Sequence, residues 1–228
     1  MKRVVVFDVL GTLFSLDAVR AGLTDAGAPP ATLEAWFERT LHGTLTLTTV
    51  GEFRPFREVA RAALQTTLAQ LELEVAQAEE ILAGFSEVQP HDDAAAALDR
   101  LAGENARIVA LTNSGAQQTE EILEQAKLRD RFERVFSVSD VGAYKPDRRP
   151  YEHVVKELGV AAGEATLIAA HAWDVVGARA AGLETIWVDR LERRWPLPVS
   201  EPRRADSLLD AAELLLDGRY QTRAPGAA

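Results

Sequence analysis

The sequence predicts an α/β fold: a parallel sheet covered by helices on both faces, with a block of helices inserted after the first strand. Three observations predict it. The run Val4-Val5-Val6-Phe7 is three β-branched residues and an aromatic with no polar face, the pattern of a strand buried on both sides. From Pro90 onward, short apolar runs alternate with segments of helical period, as expected for parallel strands joined by crossover helices. Residues 15–89 carry helical spacing throughout and no strand pattern.

In order, the first strand ends in Asp8 and a turn through Gly11. A helix over Leu16–Leu23 follows, with Ser15 as its N-cap, and Gly27-Ala28-Pro29-Pro30 stops it. Thr32–Leu47, Gly51–Leu71 and Glu74–Phe85 read as three more helices. The alternating half begins with a helix over Asp92–Leu101, whose four consecutive alanines are strong helix formers. Strands are expected at Arg107–Thr112, Arg134–Ser137, Ala165–Ala170 and Thr185–Val188, the last clear one. Helices over Gln117–Ala126, Arg149–Leu158 and Val175–Ala181 lie between them. Pro150 is tolerated in the first turn of its helix, where an amide would lack a partner in any case. Ser207–Leu216 is a closing helix, and Arg219–Ala228 reads as a frayed tail.

The composition narrows the function classes. A chain of 228 residues, 47% hydrophobic and 26% charged, has the make-up of a globular domain with room for a smaller appended one. Its formal net charge of -10 argues against nucleic acid or an anionic membrane as partner. With no cysteine, disulfides, thiolate catalysis and thiolate metal sites are excluded. The chain enters its first strand without a cationic and apolar leader, and no apolar run approaches a membrane span, so a cytoplasmic protein is expected. The remaining histidines, His42, His91 and His153, are too scattered for a metal cluster.

The polar residues that bear chemistry stand at strand ends. Asp8 follows the first strand and Thr112-Asn113-Ser114-Gly115 the second. Lys145, in Tyr144-Lys145-Pro146-Asp147, comes in the loop after the third, and His171-Ala172-Trp173-Asp174 after the fourth. Parallel strands place all four ends on one sheet edge, where open α/β sheets bind ligands. An acid, a hydroxyl with an amide, a lysine and a second acid then converge. A covalent carboxylate mechanism needs that set: a nucleophile, donors for the substrate, a cation that keeps the nucleophile ionised, and a group to guide water.

Phe7-Asp8-Val9-Leu10-Gly11-Thr12-Leu13, Leu111-Thr112-Asn113, Tyr144-Lys145-Pro146-Asp147 and Ala172-Trp173-Asp174 followed by Gly177-Ala178-Arg179-Ala180-Ala181-Gly182 resemble the four ordered motifs of the haloacid dehalogenase superfamily. The resemblance covers the whole core. It implies a Rossmann-like three-layer sandwich made of residues 1–14 and 90–228, with a helical cap over residues 15–89. Phosphatases of that superfamily carry a second acid two residues after the nucleophile, where this chain has Leu10, and an acid four residues before the last motif acid, where it has Ala170. Ala170-His171-Ala172-Trp173-Asp174 looks instead like the 2-haloacid dehalogenase branch. Leu10 stands where that branch usually has Tyr, Ala169 where Ser is frequent, and His171 where Asn is common. In the cap, Phe37 follows Trp36 where the branch has a halide-binding Arg, and Arg39 comes two places later, turned by roughly 200° on a helix.

The resemblance implies a hydrolase that releases halide from small 2-haloalkanoates through an aspartyl ester, with no cofactor. Asp8 would be the nucleophile, Lys145 would keep it ionised, and Asp174 would orient Lys145 and water; the other reading of Asp174 is the N-cap of its helix, and one residue can cap and act at once. Leu10, Thr112, Asn113 and His171 would line the substrate, with Thr112, Asn113 and the amides after Asp8 holding its carboxylate. Trp36, Phe37 and Arg39 are expected to pack the cap onto the core, and Trp173 and Trp187 to sit in the core. The alternatives are a phosphatase using Mg²⁺ held by Asp8 and Asp174, and a catalytically weak relative that binds a small anion or a protein partner. The partner expected is a small anionic substrate, and two copies would pair through an apolar cap face.

Overall fold

The computed structural model describes residues 3–217; the tail expected over Arg219–Ala228 lies outside the described residues. Strand β1 (Val4–Phe7) is followed by α1 (Asp17–Asp25), α2 (Thr32–Thr49), α3 (Phe56–Gln70) and α4 (Ala78–Ala83). Next come α5 (Ala94–Gly103), β2 (Arg107–Thr112), α6 (Ala116–Gln125), β3 (Arg134–Ser137) and α7 (Arg148–Leu158). The described chain ends with β4 (Ala165–Ala169), α8 (Ala172–Ala180), β5 (Glu184–Val188), β6 (Arg203–Ala205) and α9 (Leu208–Leu216).

The strands form one parallel sheet in the order β3-β2-β1-β4-β5-β6. The register places Phe7 beside Ala110 of β2 and Ile168 of β4. Because the chain winds outward from β1 to one side and then to the other, β1 stands at the switch point, where a crevice opens beyond the strand ends. Strand alternation feeds two apolar layers. Val5 and Phe7 pack with Leu98, Leu101, Ile122 and Leu208 from α5, α6 and α9. Val4 and Val6 pack with Tyr151, Val154, Val175 and Ala178 from α7 and α8. Both faces are dry, which is why β1 reads as a continuous apolar run and not as an alternating one.

Helices α1 to α4 bury a separate cluster that includes Val19, Leu23, Trp36, Phe56, Leu64 and Ile81. The chain leaves the sheet and returns to it at one place. Ser15 donates its amide to the Gln89 carbonyl at 2.9 Å, and the His91 amide donates to the Leu13 carbonyl at 2.9 Å. The two passages therefore run side by side between the sheet and the helical block.

Several boundaries differ from the sequence reading. Helix α1 starts at Asp17, and Ser15 receives the Asp17 amide at 3.1 Å from one residue outside the cap position. Helix α3 starts at Phe56 because Gly51, at φ 77°, and Pro55 hold the preceding residues in a turn. Helix α4 is a single short segment flanked by 3₁₀ turns at Val75–Gln77 and Gly84–Ser86. Strand β6 has no sequence signature: three residues, two of them Arg, become a strand because β5 offers a free parallel edge from Ile186 to Val188. Among the described residues, no helix is long and apolar enough to cross a membrane.

Candidate active site

Asp8 is the residue after β1, only 5% exposed, with its amide tied to the Ile168 carbonyl at 3.2 Å. The chain then folds tightly back. Gly11, at φ 81°, donates its amide to the Phe14 carbonyl at 2.7 Å, and Leu13 donates to the Val9 carbonyl at 2.8 Å. That turn brings Thr12 over the carboxylate: its hydroxyl donates to Asp8 Oδ2 at 2.6 Å and accepts from the Ala170 amide at 2.9 Å.

Lys145 meets Asp8 from the loop before α7. Its Nζ donates to Asp8 Oδ1 at 2.8 Å, to Asp174 Oδ2 at 2.7 Å and to the Leu111 carbonyl at 3.0 Å. All three ammonium protons are used, and the side chain is fully enclosed. Asp174, also fully buried, accepts from the Tyr151 hydroxyl at 2.5 Å through its other oxygen. Helix α8 can approach this closely because residue 177 is Gly: a Cβ there would stand 2.5 Å from Pro146 Cβ and 2.7 Å from the Tyr151 hydroxyl.

His171 completes the group around the nucleophile. Its Nδ1 lies 3.2 Å from Asp8 Oδ2, and its ring stacks on Phe37 of α2 at 5.7 Å and meets Trp173, tilted, at 5.2 Å. Gly11 makes room for it, since a Cβ at that position would sit 2.6 Å from the imidazole Cε1.

The electrostatics follow from this packing. Burial pushes the Asp8 carboxyl up, but the Lys145 ammonium and His171 outweigh it and hold the group well below the ordinary carboxylate range. Burial pulls Lys145 down, and the charges of Asp174 and Asp8 more than compensate, so its ammonium is held charged. Asp174 moves the other way from Asp8: burial raises it, the Lys145 charge opposes, and the Asp8 charge adds to the rise. Burial and the Asp174 charge push the Tyr151 hydroxyl far up, so it serves as a neutral donor.

Above Asp8 is a cavity of about 20 Å³, room for a water-sized sphere and little more. Leu10, Thr112, Asn113 and His171 line it. Phe37, Ser114 and Trp173 line it as well. On the far side of Phe37, His171 and Trp173 opens an outer cleft of about 590 Å³ between α1, α2 and the loop after β5. These three rings are the wall between the two spaces.

Several sequence expectations need correction. Asp174 does not cap α8; His171 occupies the cap position, and the Asp174 carboxylate turns inward to Lys145 and Tyr151. Thr112 Oγ1 accepts the Ser114 amide at 3.0 Å and Asn113 Oδ1 accepts the Lys145 amide at 3.1 Å, contacts that orient the two side chains and engage their acceptor oxygens, not their donor protons. Trp36 packs inside the helical block and donates to the Ala60 carbonyl, while Arg39 bonds Gln70 of α3. Phe37 alone of that trio faces the cavity. Trp173 is a cavity wall and not a core residue, unlike the fully buried Trp187. Residue type alone does not single out Thr12 or Tyr151, although Thr12 stands in the first motif and Tyr151 is the one Phe, Tyr or Trp of a strongly polar helix.

The donor set does not suit a divalent metal. The Lys145 ammonium fills the position between Asp8 and Asp174 that a shared cation would take, and positions 10 and 170 add no carboxylate.

Residues 2–182 match the model of the haloacid dehalogenase-like hydrolases. This chain belongs to that family. Among its relatives it is 28% identical over 191 residues to an (S)-2-haloacid dehalogenase of Pseudomonas sp. (strain YL), covering 82% of each chain. It is 30% identical to the (S)-2-haloacid dehalogenase of Xanthobacter autotrophicus, covering 85% of this chain and 77% of the relative. The solved L-2-haloacid dehalogenase of Xanthobacter autotrophicus superposes with a TM-score of 0.87 at 25% identity, over 96% of this hydrolase and 100% of that structure.

Proposed function

We propose that this hydrolase is a 2-haloacid dehalogenase acting on small 2-haloalkanoates, of the (S) configuration as in its named relatives, through an aspartyl-ester intermediate and without a metal or other cofactor. The observation that carries the reading is the Asp8 carboxylate, held ionised by an enclosed lysine and facing a small cavity with Leu10 beside it. In the first step, the Asp8 oxygen bonds to the halogen-bearing carbon while the carbon–halogen bond breaks and halide leaves with the electron pair. Halide needs no proton to depart, and Leu10 supplies none. In the second step, water cleaves the ester and releases a 2-hydroxy acid.

Lys145 keeps Asp8 ionised in the first step and polarises the ester in the second. Asp174 and Tyr151 fix the ammonium. The amides after Asp8 and the Thr112–Ser114 loop hold the substrate carboxylate. Residues 15–89 act as a cap on a core of residues 1–14 and 90–228, pivoting on the paired passages at Leu13–Ser15 and Gln89–His91. The space above Asp8 is smaller than a 2-haloacid, so cap movement precedes binding. A cytoplasmic location and a homodimer formed through the cap belong to the same reading.

The test is chloride release from (S)- and (R)-2-chloropropionate in excess EDTA, beside phosphate release from alkyl phosphates with Mg²⁺. The reading expects chloride from the (S) acid at full rate and negligible phosphate. Phosphate release without chloride release would overturn it.

A further inference from the structure

We propose that Tyr144 is a positioning residue for Lys145: its ring docks in the helical block of residues 15–89, so that seating the block and placing the ammonium on Asp8 are one event. The inference rests on the dehalogenase reading for the role of Asp8 and adds what governs that role.

Tyr144 follows β3 in the chain, yet it packs as part of the helical block. Its ring is fully buried, in one apolar cluster with Trp36, Phe56, Leu64 and Phe85. Phe53 stacks on it at 5.1 Å, and Phe56 lies tilted against it at 6.5 Å. Its hydroxyl donates to the Arg54 carbonyl, and its amide donates to Thr48 Oγ1, near the end of α2, at 3.2 Å. Val138, at the start of the same loop, enters the same cluster. Burial and the Glu58 charge on α3 push the Tyr144 hydroxyl up, so it serves as a neutral donor.

The next residue belongs to the other body. Lys145 gives its amide to Asn113 Oδ1 at 3.1 Å and its ammonium to Asp8, Asp174 and the Leu111 carbonyl. Two successive amides are therefore bonded one to the helical block and one to the loop after β2. Successive Cα atoms stand about 3.8 Å apart, so the block cannot shift by more than a few ångströms here while both residues keep their partners. A block displaced far enough to admit substrate either strips Tyr144 of its contacts or draws Lys145 off Asp8. In both cases the ammonium loses its backing until the ring docks again.

The charges around Asp8 make this measurable. Burial raises the Asp8 carboxyl, and Lys145 and His171 outweigh it; Asp174 competes for the same ammonium. A loosened Lys145 lets burial gain weight, so Asp8 moves up and the acid limb of activity moves with it.

The experiment compares wild type with Tyr144→Leu, Tyr144→Phe and Phe53→Ala. Phe53 is half-buried and lines neither the cavity nor the outer cleft, so its loss touches the site only through Tyr144. One readout is acylation of Lys145 by dilute acetic anhydride, followed by peptide mass, with the exposed Lys127 and Lys156 as internal controls. The other is the pH profile of chloride release from (S)-2-chloropropionate. In wild type Lys145 should stay unlabelled and the acid limb should lie low. Tyr144→Leu and Phe53→Ala should label at Lys145, and their acid limb in kcat/KM should rise by a pH unit or more. Their kcat should fall by about 10–10²-fold, the cost of a misplaced group. Tyr144→Phe, which keeps the stack and loses only the Arg54 bond, should restore most of the wild-type profile. Circular dichroism checks the fold of each. An acid limb at the wild-type position in both Tyr144→Leu and Phe53→Ala overturns the proposal even if kcat falls, because lost packing alone does not move the ionisation of Asp8. A Lys145 as protected in both as in wild type overturns it too. A wild type that releases no halide from any 2-haloacid refutes the dehalogenase reading instead; the labelling uses no substrate and then decides the role of Tyr144 by itself.

Discussion

Lys145→Met is the sharpest probe of the network beneath the nucleophile. Methionine keeps the length and most of the volume of lysine, so packing changes little. What disappears is a charge with bonds of 2.8, 2.7 and 3.0 Å to Asp8, Asp174 and the Leu111 carbonyl, leaving two buried carboxylates without their cation. Breaking a buried pair in this way costs about 3–5 kcal/mol. The cost depends on pH. In the wild type the folded Asp8 lies below its ordinary value of 3.8, so its contribution to stability is present above that value and is lost as the pH falls through the lower, folded one. In the variant the largest influence left on Asp8 is burial, which raises it. The variant therefore loses stability as the pH rises from 3.8 through the new folded value, and Asp174, already raised by burial, adds to the loss. Urea unfolding of both proteins should show the full difference near neutral pH and a much smaller one near the ordinary carboxylate range. Adding Asp174→Asn to Lys145→Met should recover part of it, because one stranded charge is gone. A loss below about 1 kcal/mol with no pH dependence, the range of an exposed ion pair, would refute this account of the site.

Other outcomes follow from the same geometry. Asp8→Asn should fold normally and form no covalent adduct with a 2-haloacid; steady halide release by this variant would remove Asp8 as nucleophile. Phe37→Ala takes one ring out of the wall between the cavity and the outer cleft, so kcat/KM for 2-chlorobutyrate relative to chloroacetate should rise by about tenfold, and an unchanged ratio would mean that Phe37 does not limit substrate size. Gly177→Ala forces a Cβ within 2.5 Å of Pro146 and should cost about 1–3 kcal/mol in urea unfolding, with an activity loss as the Lys145 loop shifts; wild-type stability would show that α8 has room to move.

What the sequence determined by itself was the plan of the site. An apolar strand, an acid at its end and the alternation after Pro90 require parallel strands, and parallel strands put Asp8, Thr112, Lys145 and His171 on one edge whatever the side chains do there. The helical period of residues 15–89 likewise called for an apolar stripe to be buried somewhere, and α1 to α4 bury theirs in a cluster that also takes in Val138 and Tyr144. The hydrogen bonds belonged to the tertiary structure. Asp174 carries the sequence mark of a helix cap, yet its carboxylate turns to Lys145 and Tyr151, partners 29 and 23 positions away that no local pattern connects to it. The contacts that orient Thr112 and Asn113, from the Ser114 and Lys145 amides to their oxygens, likewise come from neighbouring loops. Phe37 and Arg39 sit on one helix, and only its packing shows that the ring faces the cavity while the guanidinium faces α3. Strand β6, two arginines and an alanine, exists only because β5 had an edge to offer. Periodicity records which face of an element is apolar. A polar atom's partner depends on distances across the fold, and those are set only once the elements have packed.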